Sequence, residues 1–291
     1  MVINAITGGT EQASRINQTL ASIAARYQVA MAVGSQTAAI DDPGLRYTFS
    51  IVRECNPDGL VFANIAAGSG TSEALEAVAM INADALQIHF NIPQELAMSE
   101  GERSFRGILD RVQKIVENCH VPVIAKEVGF GLSRESIGRL YEAGIRIYDI
   151  GGKGGTNFIS IEDQRSGKFM GELDQWGIPT AVSLMEAVSL DLPMQIIASG
   201  GIRTVADAAK AYALGADMVG IAGPFLRILL NHGPEELERK IEEMIYRLKA
   251  VFLMTGSCNL EQMKNQPLII SNETAQWIEA RGIDRLRWSQ R

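Results

Sequence analysis

Short apolar runs alternate along the chain with longer segments in which apolar residues recur at a helical period. Such runs are typical of strands that are buried on both faces, and helical segments between them indicate parallel βαβ units. Eight runs predict eight strands, and that is the number in a closed (β/α)8 TIM barrel, an α/β fold. The predicted strands are Val2–Thr7, Ala30–Gly34, Leu60–Ile65, Ala85–Phe90, Val121–Val128, Ile145–Ile150, Gln195–Ser199 and Met218–Ala222.

Helices are predicted in the segments between the strands. Asp42, which a proline follows, and Thr204 are typical of helix starts, while Gly144 and Gly215 lie where C-caps are expected. The predicted helices cover residues 11–27, 42–56, 72–83, 104–119, 133–143, 180–190, 204–214 and 234–255.

Two stretches depart from this alternation. Residues 151–179 are rich in Gly, Lys and Asp without a clear helical period, which predicts a long loop at the active face that acts as a lid or an oligomer contact. The first strand begins at Met1 or Val2, with nothing ahead of it to cover an end of the barrel. We therefore expect a compact variant or a chain that lacks an N-terminal part. Because 291 residues supply one sizeable core, we treat residues 1–291 as one barrel domain.

Composition narrows the class of protein. The net charge is −7 and there are no long basic runs, which leaves nucleic acid little to bind. Cys55, Cys119 and Cys258 are widely separated, so neither a disulfide framework nor a zinc site is predicted. No apolar stretch approaches the ~20 residues that span a bilayer, and the N-terminus has no basic lead before an apolar segment. We expect a soluble, cytoplasmic protein without a membrane or nucleic-acid partner.

Two glycine turns follow the last two predicted strands, at Ser199–Arg203 and Gly220–Pro224. Main-chain amides at glycines and at the helix starts that follow can bind a phosphate, and barrels of this kind commonly place a phosphate site after strands seven and eight. The sequence therefore predicts a phosphorylated ligand at these turns.

The C-terminal ends of the barrel strands share one face, so the residues found there form one candidate site. Lys126 ends an apolar run, and a buried ammonium group needs a partner. Lys126 either pairs with Glu127 or Asp149 or anchors an anionic ligand; a Schiff-base role needs a carbonyl substrate that nothing in the sequence indicates. The candidate set is Thr7, Ser35, Gln36, Asn64, His89, Asn91, Gln94, Glu95, Lys126, Thr156, Arg203, Ala222 and Gly223.

Side chains alternate between the two faces of a strand, so Gln87 and His89 are expected to point to the same side. His89 is either a hydrogen-bonded packing residue or a functional one, and the polar residues that follow it favour function. Glu95 is either a solvated carboxylate at a helix start or a metal ligand. One carboxylate is sufficient for Mg²⁺ when substrate phosphates and water complete the coordination.

Taken together, these residues resemble the type 2, FMN-dependent isopentenyl-diphosphate isomerases nearly from end to end. The combination of the HxNxxQE, KEVGFG and GGTN motifs is specific for that family. The matching segments are Asn4–Gly9, Val33–Gln36, Ala63–Asn64, His89–Glu95, Lys126–Gly131, Asp149–Asn157, Trp176–Thr180 and Ala198–Arg203.

This resemblance implies a reversible 1,3-allylic proton shift between isopentenyl diphosphate and dimethylallyl diphosphate. It implies reduced FMN, Mg²⁺ and a pyridine nucleotide, NADPH, that keeps the flavin reduced. It also implies a homo-oligomer, a tetramer or an octamer. The sparse set of titratable residues agrees with it, since no ordinary side chain in the set is an obvious acid for an alkene carbon, so a cofactor should transfer the proton.

Site roles are carried over from the family position by position. The resemblance implies that Gln94 and His89 are catalytic, that Glu95 binds Mg²⁺, and that Ser35, Gln36, His89, Asn91 and Gln94 contact the substrate. The implied flavin contacts are Ala5, Ile6, Thr7, Ser35, Asn64, Lys126 and Thr156, with Gly201, Ile202, Arg203, Ala222 and Gly223 around the flavin phosphate.

Two features depart from the family pattern. Family members carry an upstream segment with an Arg-Lys pair that binds the substrate diphosphate, and this sequence begins after it. Loss of such charge-assisted contacts predicts weaker diphosphate binding. Ile6 stands where methionine is usual, a change of similar size that should be tolerated.

Other functions fit the residues less well. A 2-hydroxyacid oxidase or dehydrogenase needs a histidine base beside an arginine clamp, and no such pair follows strand six or seven. An inosinate-type dehydrogenase needs a nucleophilic cysteine within 151–179, which has none. The non-enzyme alternative is a shortened chain that binds flavin and assembles with little or no turnover.

Overall fold

Eight parallel strands close into a barrel in sequence order in the computed structural model, which describes residues 1–291. The barrel closes where β1 pairs with β8, through Val2 opposite Gly220. This confirms the predicted (β/α)8 TIM barrel. The strands are β1 (Val2–Ile3), β2 (Ala30–Ala32), β3 (Val61–Ala66), β4 (Ala85–Phe90), β5 (Val123–Glu127), β6 (Ile147–Asp149), β7 (Gln195–Ser199) and β8 (Met218–Ile221).

Side chains alternate along each strand between two apolar clusters. A cluster of 57 buried residues, which includes Ile3 and Met31, packs the strands against the helices. A second cluster of seven buried residues fills the barrel interior: Val2, Ala30, Ala32, Phe62, Ala85, Ile124 and Ile197. Because successive side chains point to opposite faces, neighbours such as Val2 and Ile3 belong to different clusters.

The same alternation places buried polar side chains directly above the interior apolar cluster. Two residues beyond Val2 is Asn4, and two beyond Phe62 is Asn64. All of these polar side chains are buried inside the C-terminal end of the barrel. We call the set the polar layer: Asn4, Asn64, Gln87, Lys126, Asp149 and Ser199.

The eight predicted helices are present, α1 with the predicted bounds and the others shorter than predicted. Thr10 and Ser133 cap two of them by accepting hydrogen bonds from the main chain. The segment 42–56 differs, because a 3₁₀ turn at Pro43–Leu45 precedes the α-helix. These helices are α1 (Glu11–Tyr27), α3 (Tyr47–Cys55), α4 (Thr71–Met80), α6 (Ile108–Asn118), α7 (Arg134–Glu142), α9 (Thr180–Val188), α10 (Val205–Leu214) and α12 (Pro234–Met254).

Seven further helices were not predicted. The prediction of a helix-free loop over 151–179 is wrong, because α8 lies within it between the cap residues Asn157 and Gly167. Only Ile159 and Glu162 of α8 are buried, so the sequence carries no apolar stripe at a helical period. The additional helices are α2 (Thr37–Asp41), α5 (Ile92–Ala97), α8 (Phe158–Ser166), α11 (Gly223–His232), α13 (Leu260–Lys264), α14 (Asn272–Ala280) and α15 (Leu286–Ser289).

The first strand is shorter than predicted. Pairing ends at Ile3, and the next residues turn into the mouth of the barrel, where the Gly34 amide donates to the Thr7 carbonyl at 3.0 Å. A Cβ on Gly34 would lie 2.7 Å from the carbonyl carbon of Thr7, so this approach requires glycine. No helix is both long enough and apolar enough to cross a bilayer.

Candidate active site

A cavity of about 540 Å³ opens at the C-terminal ends of the strands. We call it the main cavity. The turns after β7 and β8 both line it, as the sequence predicts for a phosphate site. Most of the predicted site residues line it as well: Ala5, Ile6, Ser35, Asn64, His89, Gln94, Lys126, Thr156, Gly201, Ile202, Arg203, Ala222 and Gly223.

Four predicted residues lie outside this lining. Thr7 follows Ile6, and its Oγ1 is buried without a hydrogen-bond partner. Gln36 is fully buried: its side chain donates to the Ala77 carbonyl at 3.0 Å and accepts from the Asn64 main-chain N–H at 2.9 Å. The structure therefore does not bring Gln36 to the cavity, and Asn91 and Glu95 line a different one.

The two glycine turns end in helices with different N-termini. Thr204 and Asp207 form a capping box on α10, and the Asp207 carboxylate accepts from the main-chain N–H groups of Arg203 and Thr204, at 3.1 and 2.8 Å. At α11, by contrast, Ala222 is the N-cap and no side chain caps the helix. Pro224 has no N–H, so the amides of Gly223 and Phe225 are the ones in the first turn of α11 that are free for an anion.

Glycine is required at the first turn for packing rather than for ligand approach. Gly200 and Gly201 have φ values of 94° and 80°, in the left-handed region. A Cβ on Gly200 would lie 2.0 Å from the Gly152 carbonyl oxygen, and one on Gly201 would lie 2.7 Å from that of Gly154. The loops after β6 and β7 therefore pack against each other at one wall of the cavity.

Two arginines lie beside the turns. The Arg203 guanidinium donates to the Gly154 carbonyl at 2.7 Å, which directs the side chain across the loop after β6. Arg227, which the sequence analysis missed, also lines the main cavity from α11. Its position one turn after Gly223 was the available signal, because helical residues four apart share a face.

Lys126 makes the ion pair that the sequence left open. Its Nζ lies 2.8 Å from Asp149 Oδ2, and both side chains are buried. Asp149 also accepts from Asn4 Nδ2 at 2.6 Å and from the Ser199 hydroxyl. Because each buried charge is neutralised and hydrogen-bonded, the pair is satisfied inside the barrel while Lys126 still lines the cavity.

Glu127, the other candidate partner of Lys126, has a different role. Its carboxylate accepts from the amides of Gly129, Phe130 and Gly131, at 2.7, 2.5 and 2.9 Å. Burial raises the pKa of Glu127 to about 7, against the opposing effect of these three amides. The side chain shapes the loop after β5.

His89 is a neutral residue at the cavity wall. Its Nδ1 lies 2.8 Å from Asn64 Oδ1. Burial, and then the Lys126 ammonium group, lower the pKa of His89 to about 4, and the Glu95 carboxylate acts in the opposite direction. The imidazole is therefore uncharged at neutral pH and is a hydrogen-bonding group rather than a cation.

Helix α5 contributes lining residues to two cavities. Gln94 faces the main cavity, where its Nε2 donates to Glu162 Oε1 of α8 at 3.3 Å. Glu95 faces a second cavity of about 410 Å³, the side cavity, which Asn91 also lines. The Glu95 carboxylate accepts from Asn91 Nδ2 at 2.7 Å and from the Glu102 amide at 2.8 Å.

The side cavity contains basic side chains that the sequence analysis did not single out. Arg106 and Arg111 line it opposite Glu95, and the Nε atom of Arg111 is buried without a hydrogen-bond partner. No group of three or more His, Cys, Asp or Glu side chains forms a metal cage anywhere in the chain. A cation bound by Glu95 would therefore need oxygen ligands from a substrate and water.

Comparison with known proteins places this site in a family. The model of the FMN-dependent dehydrogenase family matches residues 67–270. An isopentenyl-diphosphate delta-isomerase of Moorella thermoacetica is 49% identical over 96% of this chain and 81% of its own length. This chain belongs to the isopentenyl-diphosphate delta-isomerase family.

Further members support that assignment. The isomerases of a Geobacillus species and of Bacillus licheniformis are 47% and 46% identical, each over 99% of this chain and 83% of its own length. A solved mandelate oxidase mutant with benzaldehyde shares the fold, with a TM-score of 0.64 and 16% identity over 90% of this chain and 76% of that one. The resemblance predicted from the sequence motifs is thus confirmed, as is an FMN-dependent barrel.

The residues present fit FMN. The free amides at the start of α11 suit its phosphate, and Arg203 and Arg227 add positive charge beside them. The Thr7 hydroxyl, next to the lining residue Ile6, is buried without a hydrogen-bond partner and could bond to a cofactor. Lys126 and Asn64 also line the main cavity.

Proposed function

We propose that this chain is an isomerase that interconverts isopentenyl diphosphate and dimethylallyl diphosphate by a 1,3-allylic proton shift, in isoprenoid biosynthesis. The observation that carries the proposal is the 49% identity to an isopentenyl-diphosphate delta-isomerase over 96% of the chain. The main cavity adds physical support, because its position and lining suit a flavin beside the small apolar alkenyl group of the substrate.

The protein's own side chains are poorly suited to protonate an alkene. His89 is neutral with a lowered pKa of about 4, and Lys126 is paired with Asp149. Glu127 is bonded to three main-chain amides. Reduced FMN, when bound, supplies the proton-transfer chemistry, and NADPH supplies the electrons that keep it reduced. The chain's residues position the reactants and exclude water.

The flavin phosphate would lie at the two glycine turns. In this proposal the main-chain amides at the start of α11 bind the phosphate oxygens, together with the amides of Gly201 and Ile202 and the guanidinium of Arg203. The ring end of the cofactor would contact Ala5, Ile6, Thr7, Ser35, Asn64, Lys126 and Thr156, most of which line the main cavity.

The substrate would lie across α5. Its alkene would face Gln94 and His89, the proposed catalytic residues, in the main cavity, with Ser35 also in contact. Its diphosphate would approach Asn91 and Glu95, with Mg²⁺ bound between Glu95 and the phosphate oxygens. The unpaired N–H of Arg111 in the side cavity supports an anionic group on this side of the helix. Gln36 has no part in this proposal, because its side chain is bonded within the core.

We further propose a single barrel domain that assembles as a tetramer or octamer in the cytoplasm. Large apolar side chains are exposed in the C-terminal part of the chain: Tyr246 and Leu253 on α12, at 73% and 82% exposure, and Ile269 between α13 and α14, at 82%. Such residues commonly lie in interfaces. Light scattering on the purified protein measures the assembly directly, and a monomer would contradict this part of the proposal.

An anaerobic assay tests the activity. Purified protein with FMN, NADPH, Mg²⁺ and isopentenyl diphosphate is expected to form dimethylallyl diphosphate, detected by chromatography. The variant Glu95→Gln should lose Mg²⁺-dependent turnover while it retains FMN, since Glu95 lies outside the main cavity. Flavin absorbance without any conversion would support a flavin-binding barrel instead, and loss of flavin in the variant would contradict the role of Glu95.

A further inference from the structure

A continuous line of side-chain hydrogen bonds crosses the polar layer from Asp149 to His89. Asn4 Nδ2 donates to Asp149 at 2.6 Å, and Gln87 Nε2 donates to Asn4 Oδ1 at 3.2 Å. Asn64 Nδ2 donates to Gln87 Oε1 at 3.1 Å, and Asn64 Oδ1 lies 2.8 Å from His89 Nδ1. Gln87, which is fully buried, is the central member and has no role in the proposed chemistry.

The polarity of this line is set at its Asp149 end. An ionised carboxylate only accepts hydrogen bonds, and Asp149 forms an ion pair with the Lys126 ammonium at 2.8 Å. Asn4 must therefore present its NH₂ group to Asp149. Its oxygen then faces Gln87, and the Ala5 amide, which also donates to that oxygen at 2.9 Å, reinforces the orientation.

Each amide passes this polarity to the next. Because Gln87 donates to Asn4, it presents its oxygen to Asn64, which donates in turn. Asn64 then has only its oxygen for the imidazole, so the proton of a neutral ring must be on Nδ1. Nε2 is left without a proton.

We propose that Gln87, with Asn4, is a positioning residue that fixes His89 as the Nδ1–H tautomer, with Nε2 as a bare acceptor. Any proton that His89 gains then enters at Nε2, while Nδ1 stays bonded to Asn64. Three groups act on the ring: Lys126, directly opposite in the strand register, Glu95 on α5, and the main chain of Ile65, which hydrogen-bonds to it. The lowered pKa of about 4 keeps the ring neutral at neutral pH, where the choice of tautomer matters.

Nitrogen-15 NMR of histidine-labelled, FMN-loaded protein tests this inference. The chain has only three histidines, and His120 and His232 are exposed, so a His89→Asn spectrum assigns the His89 signals. At neutral pH we expect a protonated Nδ1 and an unprotonated Nε2 for His89. An Nε2–H ring in the unaltered protein would overturn the inference without any variant.

Two substitutions of Gln87 test its part in the line. Gln87→Met preserves the length but breaks the line, so the Asn64 amide is free to turn and the Nε2–H tautomer should appear. Gln87→Glu should restore the Nδ1–H ring, because a buried neutral carboxylic acid donates to Asn4 and accepts from Asn64 as the amide does. A pure Nδ1–H ring in folded Gln87→Met would contradict the role of Gln87.

Gln36→Met is the matched control. Gln36 is equally buried and also touches Asn64, but at its main-chain N–H rather than its side chain. This variant should keep the His89 tautomer of the unaltered protein, and a tautomer change there would show that the loss of any buried amide near Asn64 has the same effect. The inference rests on the proposed function only in that His89 is taken to contact the substrate. The NMR measurement requires no turnover, so the tautomer inference and the proposed isomerase activity can be contradicted independently.

Discussion

The N-termini of α10 and α11 follow similar glycine turns but differ in whether their main-chain N–H groups are free to bind an anion. At α10 the Asp207 carboxylate accepts hydrogen bonds from the Arg203 and Thr204 amides, and the Thr204 hydroxyl accepts one from the Asp207 amide. At α11 the N-cap is Ala222, which has no side-chain acceptor, and the amides face the main cavity. A glycine turn before a helix is therefore a phosphate site only when no neighbouring side chain caps the helix.

The largest expected effect comes from giving α11 a carboxylate of its own. Ala222→Asp should raise the dissociation constant of FMN by roughly 100-fold, about 3 kcal/mol, because a negative charge then lies beside the phosphate. Titration of FMN into apoprotein, followed by flavin fluorescence, measures this. Ala222→Asn, which adds a polar group without charge, should weaken binding much less, and equal losses in the two variants would point to a steric cause.

A smaller loss is expected from Arg203→Ala, which removes a cation between the two turns. Hydrogen bonds to charged groups contribute about 1.5 to 3 kcal/mol, and because Arg203 is exposed we expect the lower end of that range, a roughly tenfold fall in FMN affinity. Lys210→Ala, an exposed change on α10, is the matched control in the same titration. Unchanged affinity in Arg203→Ala would exclude its guanidinium from the phosphate site.

Removing the cap of α10 should separate stability from binding. Thr204→Ala is expected to lower the free energy of unfolding by about 1 kcal/mol, as measured by urea denaturation. FMN affinity should stay the same, because the α10 amides take no part in phosphate binding. A drop in FMN affinity without a change in stability would reverse the assignment of the two helices.

The smallest effect is the pH dependence of the α10 cap. Burial tends to raise the pKa of Asp207, but hydrogen bonds from the Arg203 and Thr204 amides outweigh it and lower the pKa below its usual 3.8. The cap therefore contributes stability above pH 3.8, and this is lost as the pH falls through the lowered value. The stability difference between the unaltered protein and Asp207→Asn should shrink over that range and stay constant at higher pH.

The barrel could be predicted because its signal is local and repeated. Each strand is a short apolar run, and the period of two also places Asn64, His89 and Lys126 on the inner face. The ends of eight parallel strands meet at one face, so most of the residues listed from the strand ends line the main cavity.

The remaining features depend on contacts between distant segments. Gln36 has a polar side chain suited to a binding site, but that side chain is hydrogen-bonded to the main chain of Ala77 and of Asn64. The choice of Asp149 over Glu127 as the partner of Lys126 depends on the register of β5 and β6, which sets Lys126 opposite Asp149. Helix α8, which lacks an apolar stripe, was invisible to periodicity, although its Glu162 contacts the proposed catalytic Gln94.

A crystal structure with bound FMN and a substrate diphosphate shows directly whether the flavin phosphate lies at the N-terminus of α11. The account predicts the flavin phosphate against the first-turn amides of α11 and the Arg203 guanidinium, with the flavin ring between Lys126 and Gln94. It also predicts the diphosphate on the Glu95 side of α5. A flavin phosphate at the N-terminus of α10, or a ring outside the main cavity, would contradict it.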